Sequence, residues 1–381
     1  MTADARVLGL RALNRALFAR QGLLDRLDAP LVGAVEAVGA LQAQHWPAPP
    51  VALWSRLQGF AVEDLYRALE SGQLVVGPLL RNTLHLVSAR EHPEYAAVVG
   101  ATGADDWRRT DAEASAESGR LRGQLLSYAK EAPRTGEEIA AFIEEFVAAH
   151  PDAIDPAEVE HQRKVSWRPF LRWSAFVRAP ADGRWGSKAP AAVRAGPVPA
   201  DPADGDDALH DVVRRHLRAF GPAGAEDVAS WIGWRTPPVR AALERLESEL
   251  AAFEDDEGRP LYDLPGAPRP DPETPAPPRL LAAFDSVLLA YAPGRRERIL
   301  PEAHKDAVYE RRNLRIRPTF VVDGLVAGTW SAETRRREAV LTLQPLGRLA
   351  RTARAALVEE AERLVRAVQP AAKAHGVVVG R

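Results

Sequence analysis

Apolar residues recur at helical spacing from the start of the chain, with Val7, Leu10, Leu13 and Leu17 on one face. LVGAVEAVGAL (31–41) continues as a second helical pattern. VEDLYRALESG is another, and it ends at Gly72, a residue suited to a helix C-cap. The period then changes: LVVGPLLRNTLHLVS alternates as two paired strands would, with Gly77-Pro78 as the expected turn. Helices leading into a short hairpin outline a winged helix, a variant of the helix-turn-helix. The outline recurs. LRGQLLSYAKEA and EEIAAFIEEFVAAH flank a Pro-Arg-Thr-Gly break, and a further helical stretch containing WRPFLRWSAFVRA precedes the hairpin turn ADGRWGS. A third occurrence runs ALHDVVRRHLRAFG, AGAEDVASWIG, TPPVRAALERLES and then ELAAFEDDEGRPLYDL, with Thr236 and Pro237 as N-cap and first helical residue. The repetition is architectural and has no fixed period.

Seven prolines between 265 and 279 mark a linker that continues neither helix nor central strand. Strand-like runs follow: LLAAFDSVLLAY, RERIL, PTFVVDGLVAGTW and AVLTLQPL. Asp323-Gly324 between two of them is a hairpin signal. A small barrel or curled sheet is expected here, then the helix RTARAALVEEAERLVRAV and a last strand from GVVVGR. The expected fold class is α+β: tandem winged-helix modules, then a small β-barrel-like domain with a terminal helix. The boundaries read 1–105, 106–200 and 201–264 for the three modules, 265–279 for the linker and 280–381 for the basic C-terminal domain.

Composition narrows the function. A length of 381 residues suits two or three domains, at roughly 150 residues each. With no cysteine there is no disulfide, thiolate nucleophile or cysteine-bearing metal site. No secretory h-region opens the chain, and apolar stretches are broken by charge before they reach membrane-spanning length, so a bacterial cytoplasmic protein is expected. The net charge of -2 conceals an asymmetry, since residues 279–381 carry 19 basic against 11 acidic side chains. That excess reads as an anion-binding face or as the Arg-rich bias of a high-GC genome.

The familiar catalytic motifs are missing: no HExxH, no phosphate loop, no GxGxxG after a strand and no GxSxG. No metal or other cofactor is expected. His210 and His216 read as surface residues. The unusual segment is LQAQHWP (41–47), where Gln42 and Gln44 stand just before a proline. Residues two apart are about 200° apart on a helix but on one side of an extended chain, so both glutamines face one pocket only if the helix loosens there. The alternative is a solvated helix end.

LQAQHWPAPPVALWSRL, RNTLHLVS, AAFDSVLLAYAPGRRERIL and TFVVDGLVAGTW, taken in this order, resemble the AlkZ/YcaQ family of bacterial DNA glycosylases, winged-helix DNA-binding proteins. The resemblance implies a catalytic Gln–apolar–Gln motif, here Gln42 and Gln44 around Ala43. The YcaQ branch carries Asp at the second polar position, so Gln44 places this chain on the AlkZ side, whose members remove bulky alkyl adducts and unhook interstrand crosslinks. It also places the hairpin of Arg81, Thr83 and His85 near the glutamines. Read as a strand, RNTLHLV puts those three on one face, available to DNA or engaged in hydrogen bonds within the first module. Arg311, Arg312, Arg315 and Arg317 in RRNLRIR suit phosphate contacts or groove insertion. Asp323 reads as a turn residue and Asp285 as a possible catalytic helper.

The expected function is a monofunctional DNA glycosylase that hydrolyses the N-glycosidic bond of alkylated purines, with interstrand crosslinks as a further candidate substrate. Its partner is double-stranded DNA containing alkylated bases; the protein acts as a monomer, with no membrane. Two alternatives stand beside it: a non-catalytic winged-helix regulator, and a binder that sequesters the genotoxin itself.

Overall fold

The computed structural model describes residues 6–106, 116–197, 205–310, 312 and 315–380. It is a mixed α+β chain of helices and small sheets. It divides into two compact units, Met1–Val62 with His210–Arg381, and Glu63–Leu209. The first expected module therefore contributes to both units.

In the discontinuous unit the helix Leu10–Arg20 follows a short strand, Arg6–Leu8, which pairs in parallel with Ala251–Asp255. That strand pairs antiparallel with Pro260–Asp263. The helices Ala225–Ile232 and Thr236–Arg245 lead into this sheet in the expected succession. Pro237 sits in the first turn as its missing N–H allows, but Thr236 is already helical and makes no side-chain cap. His216 is a correction: it is fully buried, with Nε2 at 2.9 Å from the Ala290 carbonyl and its ring among Phe220, Trp231 and Tyr291. A helix as apolar as Gly205–Phe220 on one side hides a histidine as readily as a leucine, and six-residue spacing from His210 does not reveal which face is inside.

The proline-rich stretch is bolted to the first helix. Arg20 forms a two-pronged ion pair with buried Asp263, each contact 2.7 Å, and also donates to the Pro268 carbonyl. Arg15 donates to the Thr274 carbonyl at 2.6 Å. Beyond it five strands order as Arg279–Leu281, Thr319–Val322, Leu325–Arg335, Glu338–Pro345 and Ala374–Val379. The last pairs in parallel, as a strand returning across the helix Arg351–Val368 must. The sheet is open and does not close into a barrel. One reason is local: of the apolar run 280–291 only Leu280 and Leu281 are strand, and Asp285 caps a 3-10 turn over Ser286–Leu288. RERIL likewise ends a 3-10 segment, Pro293–Arg298. Asp323 (φ +47°) and Gly324 (φ +84°) make the expected tight turn.

In the Glu63–Leu209 unit, Leu74–Pro78 pairs with Leu84–Ser88. Gly77 and Pro78 lie inside the first strand, opposite His85 and Leu84, and are not the turn. Gly77 is needed for close approach: a Cβ there would stand 3.0 Å from Nε2 of His92. The chain reverses at 79–83, where Arg81 and Asn82 both take positive φ. The helix Gly136–Ala149 starts in a reciprocal cap between Thr135 and Glu138. It packs with Ala116–Glu131 over a core that holds Trp167, Phe170, Trp173 and Phe176. The sheet there orders as Arg134–Thr135, Ala191–Ala195, Phe176–Pro180. Phe176–Pro180, expected to continue a helix, is a strand.

Three buried histidines carry a pH consequence. Burial depresses His85 to about 3, with help from Arg81, and His92 and His216 to about 4. The folded state holds them neutral while the unfolded chain protonates near 6.5. Stability is thus complete above about pH 6.5 and is lost as pH falls toward 4, at up to about 1.4 kcal/mol per pH unit for each ring. Both ring nitrogens of His92 lack a hydrogen-bond partner among the described residues. His92→Leu should therefore leave urea stability at pH 8 nearly unchanged and make the loss between pH 7 and 5 shallower. An unchanged pH slope would contradict this.

Candidate functional site

The helix Leu31–Val38 stops because Gly39 turns to φ +80° against Ala219 and Phe220, where a Cβ would meet side-chain carbons at 3.1–3.2 Å. Leu41–Gln42 is extended, and a bend follows before the helix Ala48–Arg56. The loosening on which a shared pocket depends is therefore present. Gln42 is 8% exposed, whereas Gln44 and His45 are exposed and Trp46 is half-buried.

A buried polar chain holds this turn from beneath. The Gln21 amide donates to the carbonyls of Val38 and Ala219, both at 2.9 Å. Its oxygen accepts from Arg56 Nε at 3.2 Å. Arg56 in turn grips Asp285 at 2.7 and 3.0 Å, and both side chains are fully buried. The next residue, Ser286, donates to the Ala40 carbonyl at 3.1 Å. The carbonyls of Val38 and Ala40 beside the helix break thus each meet a side-chain donor, as burial demands. Sequence reading missed Gln21, Arg56 and Ser286. Their signal was the Asp-Ser pair inside an apolar run, which marks a cap rather than a strand. Asp285 belongs to this scaffold and makes its contacts with Arg56 and the Val287 N–H.

Arg81, Thr83 and His85 lie in the Glu63–Leu209 unit, the glutamines in the discontinuous one. The 3-10 turn Leu80–Asn82 breaks the expected alternation. Arg81 and Thr83 are half-buried, and Thr83 donates to the Leu80 carbonyl at 3.1 Å. His85 is fully buried, with Nδ1 at 2.9 Å from the Thr83 carbonyl and Nε2 at 3.3 Å from Arg81. Held neutral, its Nδ1–H donates to Thr83 and Nε2 accepts from Arg81, so it orients that guanidinium.

Tyr309–Glu310 pairs with Arg315–Ile316 as a two-stranded hairpin. Arg311 lies outside the described residues. Arg312, Arg315 and Arg317 are exposed, and Arg317 meets Glu310 at 2.6 Å. Among the described residues Arg312 and Arg315 have no ion pair.

The family model for AlkZ-like DNA glycosylases matches residues 35–367. This chain belongs to that family of DNA glycosylases. It is 27% identical over 350 residues to the interstrand DNA cross-link repair glycosylase of Streptomyces sahachiroi, covering 84% of this chain and 88% of that protein. The solved structure of Streptomyces sahachiroi DNA glycosylase AlkZ shares its fold, with a TM-score of 0.76 and 20% identity over 98% of this chain and 100% of that one. In this glycosylase no helix among the described residues is long and apolar enough to cross a membrane.

Removing one partner of the Arg56–Asp285 pair leaves a buried charge unpaired, at a cost of about 3–5 kcal/mol. Asp285→Ala should lower the urea midpoint accordingly. Unchanged stability with lost base release would instead place Asp285 in the chemistry.

Proposed function

We propose that this glycosylase hydrolyses the N-glycosidic bond of purines alkylated on a ring nitrogen, in monoadducts and in interstrand crosslinks, with Gln42 and Gln44 as its catalytic residues. The crosslink reading rests on the name of the Streptomyces relative. The observation that carries the site is the turn at Gly39, after which Gln42 is buried on a two-residue strand and Gln44 is exposed in the bend that follows it.

A purine alkylated on a ring nitrogen is cationic and leaves as a neutral base once the glycosidic electron pair withdraws onto it. Leaving-group protonation then matters less than stabilising the oxocarbenium-like sugar and placing water. A neutral amide suits that task, since it accepts from water through its carbonyl and donates through its NH₂. Exposed Gln44 holds the attacking water; buried Gln42 orients that water or the deoxyribose. The water oxygen bonds to C1′, its proton passes to solvent and an abasic site remains. The chain has only five lysines, and no step through a Schiff base is invoked.

The helix–helix–helix–hairpin successions support reading residues 1–105, 106–200 and 201–264 as winged-helix modules that present a broad surface to duplex DNA, the protein acting as a monomer in the bacterial cytoplasm. Arg81 and Thr83, with His85 behind them, contribute from the second unit. The segment carrying Arg311, Arg312, Arg315 and Arg317 contributes phosphate contacts from the C-terminal domain. A surface that reaches the sugar edge suits a crosslink, because a base tied to both strands resists flipping.

Gln44→Ala and Gln42→Ala should each lower the single-turnover rate on the order of 10²–10³, with duplex affinity and thermal stability near wild type. The double variant should cost less than the product, because both residues serve one water. Gln44→Asp should retain part of the activity. Normal excision by both alanine variants would contradict the assignment. Arg312→Ala should lower the dependence of log affinity on log salt by about 0.9; an unchanged slope would leave that arginine without a phosphate.

A further inference from the structure

The Glu63–Leu209 unit contains a half-enclosed cleft of about 610 Å³ whose lining includes Lys130, Arg178, Arg194 and Trp185. Its walls come from the end of the helix before Gly72, from the helix Ala116–Glu131 and from the paired strands Phe176–Pro180 and Ala191–Ala195. Lys130 and Arg194 are exposed at its rim and Arg178 is half-buried. None of the three makes an ion pair among the described residues, and Nε of Arg178 is buried without a hydrogen-bond partner. Glu70 is the one acidic side chain among the described lining residues, and its carboxylate already accepts the Trp185 N–H at 2.9 Å.

A buried donor on a guanidinium is costly to leave unmade, and three unneutralised cations around one cleft repel one another. Burial, with Arg172 nearby, pulls the Arg178 guanidinium below its ordinary value, so an anion at that position would relieve both effects. The turn between the two strands adds exposed Arg184 and Lys188 against one acidic side chain, Asp182. A line of cations beside a single deep arginine suits a polyanion whose phosphates are spaced along a chain, more than one compact ion.

We propose that this cleft seats a backbone phosphate of the DNA strand, with Arg178 at its base and Lys130 and Arg194 at its rim, and so widens the duplex footprint within the Glu63–Leu209 unit beyond Arg81 and Thr83. The proposal rests on the glycosylase reading for its choice of DNA as the polyanion. Its test uses no base release, so the two can fail separately.

The test is fluorescence anisotropy of the full chain on an undamaged duplex at several salt concentrations. The exposed pair Lys130→Gln with Arg194→Gln should weaken binding on the order of tenfold near 0.1 M salt and lower the log–log slope by about 1–2. Arg178→Gln should lower it by about 1, and Arg178→Lys should restore part of the affinity. Thermal melting confirms folding, and the exposed pair keeps the test valid if Arg178→Gln melts early. Affinity and slope unchanged in the exposed pair would overturn the proposal. Tight binding of inorganic phosphate to the wild type, with the duplex slope unmoved by any variant, would overturn it in favour of a free phosphate ligand. A wild type that releases no alkylated base yet loses slope in these variants would sink the glycosylase reading alone.

Discussion

The proposed site depends on one helix stopping in time. Leu31–Val38 is apolar enough to run on through Leu41, and two glutamines on a continuing helix would diverge. Gly39 prevents this, because its left-handed backbone packs against Ala219 and Phe220 where a side chain has no room. Ending a helix inside a core exposes carbonyls that need donors. Gln21 and Ser286 supply them to Val38 and Ala40, and the Arg56–Asp285 pair fixes Gln21 in place. Asp285 is thus linked to the start of the glutamine segment through two side chains, Arg56 and Gln21.

That scaffold suits a reaction that needs orientation more than proton transfer. An amide has no charge to lose, so its usefulness depends on being held still. On the proposed reading, a buried Gln42 on a short strand anchored at Ala40 meets that requirement, and exposed Gln44 is open to water and adduct. On the proposed reading the cationic lesion supplies the driving force and the protein supplies the geometry.

Much of this was legible in the amino-acid order. The succession from Ala225 to Asp263, the Asp323-Gly324 turn and the terminal strand follow from period, caps and turn chemistry acting over a few residues. The glutamine motif is proposed through the family resemblance, and the helix break it needs, read from geometry, is present after Val38. What remained hidden depends on distant partners. Gly77 looks like a turn residue until His92 packs on it, and SVLLAY looks like a strand until Asp285 caps the turn. His216 looks like a surface residue until the Ala290 carbonyl meets it. The cleft around Arg178 is assembled from segments separated by more than a hundred residues, so no local pattern announces it.

The most direct test of the account is base release by the purified wild-type protein from a duplex carrying a defined N7-alkylguanine, followed by chromatography of the free base and alkaline cleavage of the abasic strand. The account predicts one free alkylated base for each abasic site, and strand cleavage only after alkali treatment. Intact duplex after prolonged incubation with several cationic adducts, each bound by the protein, would contradict it.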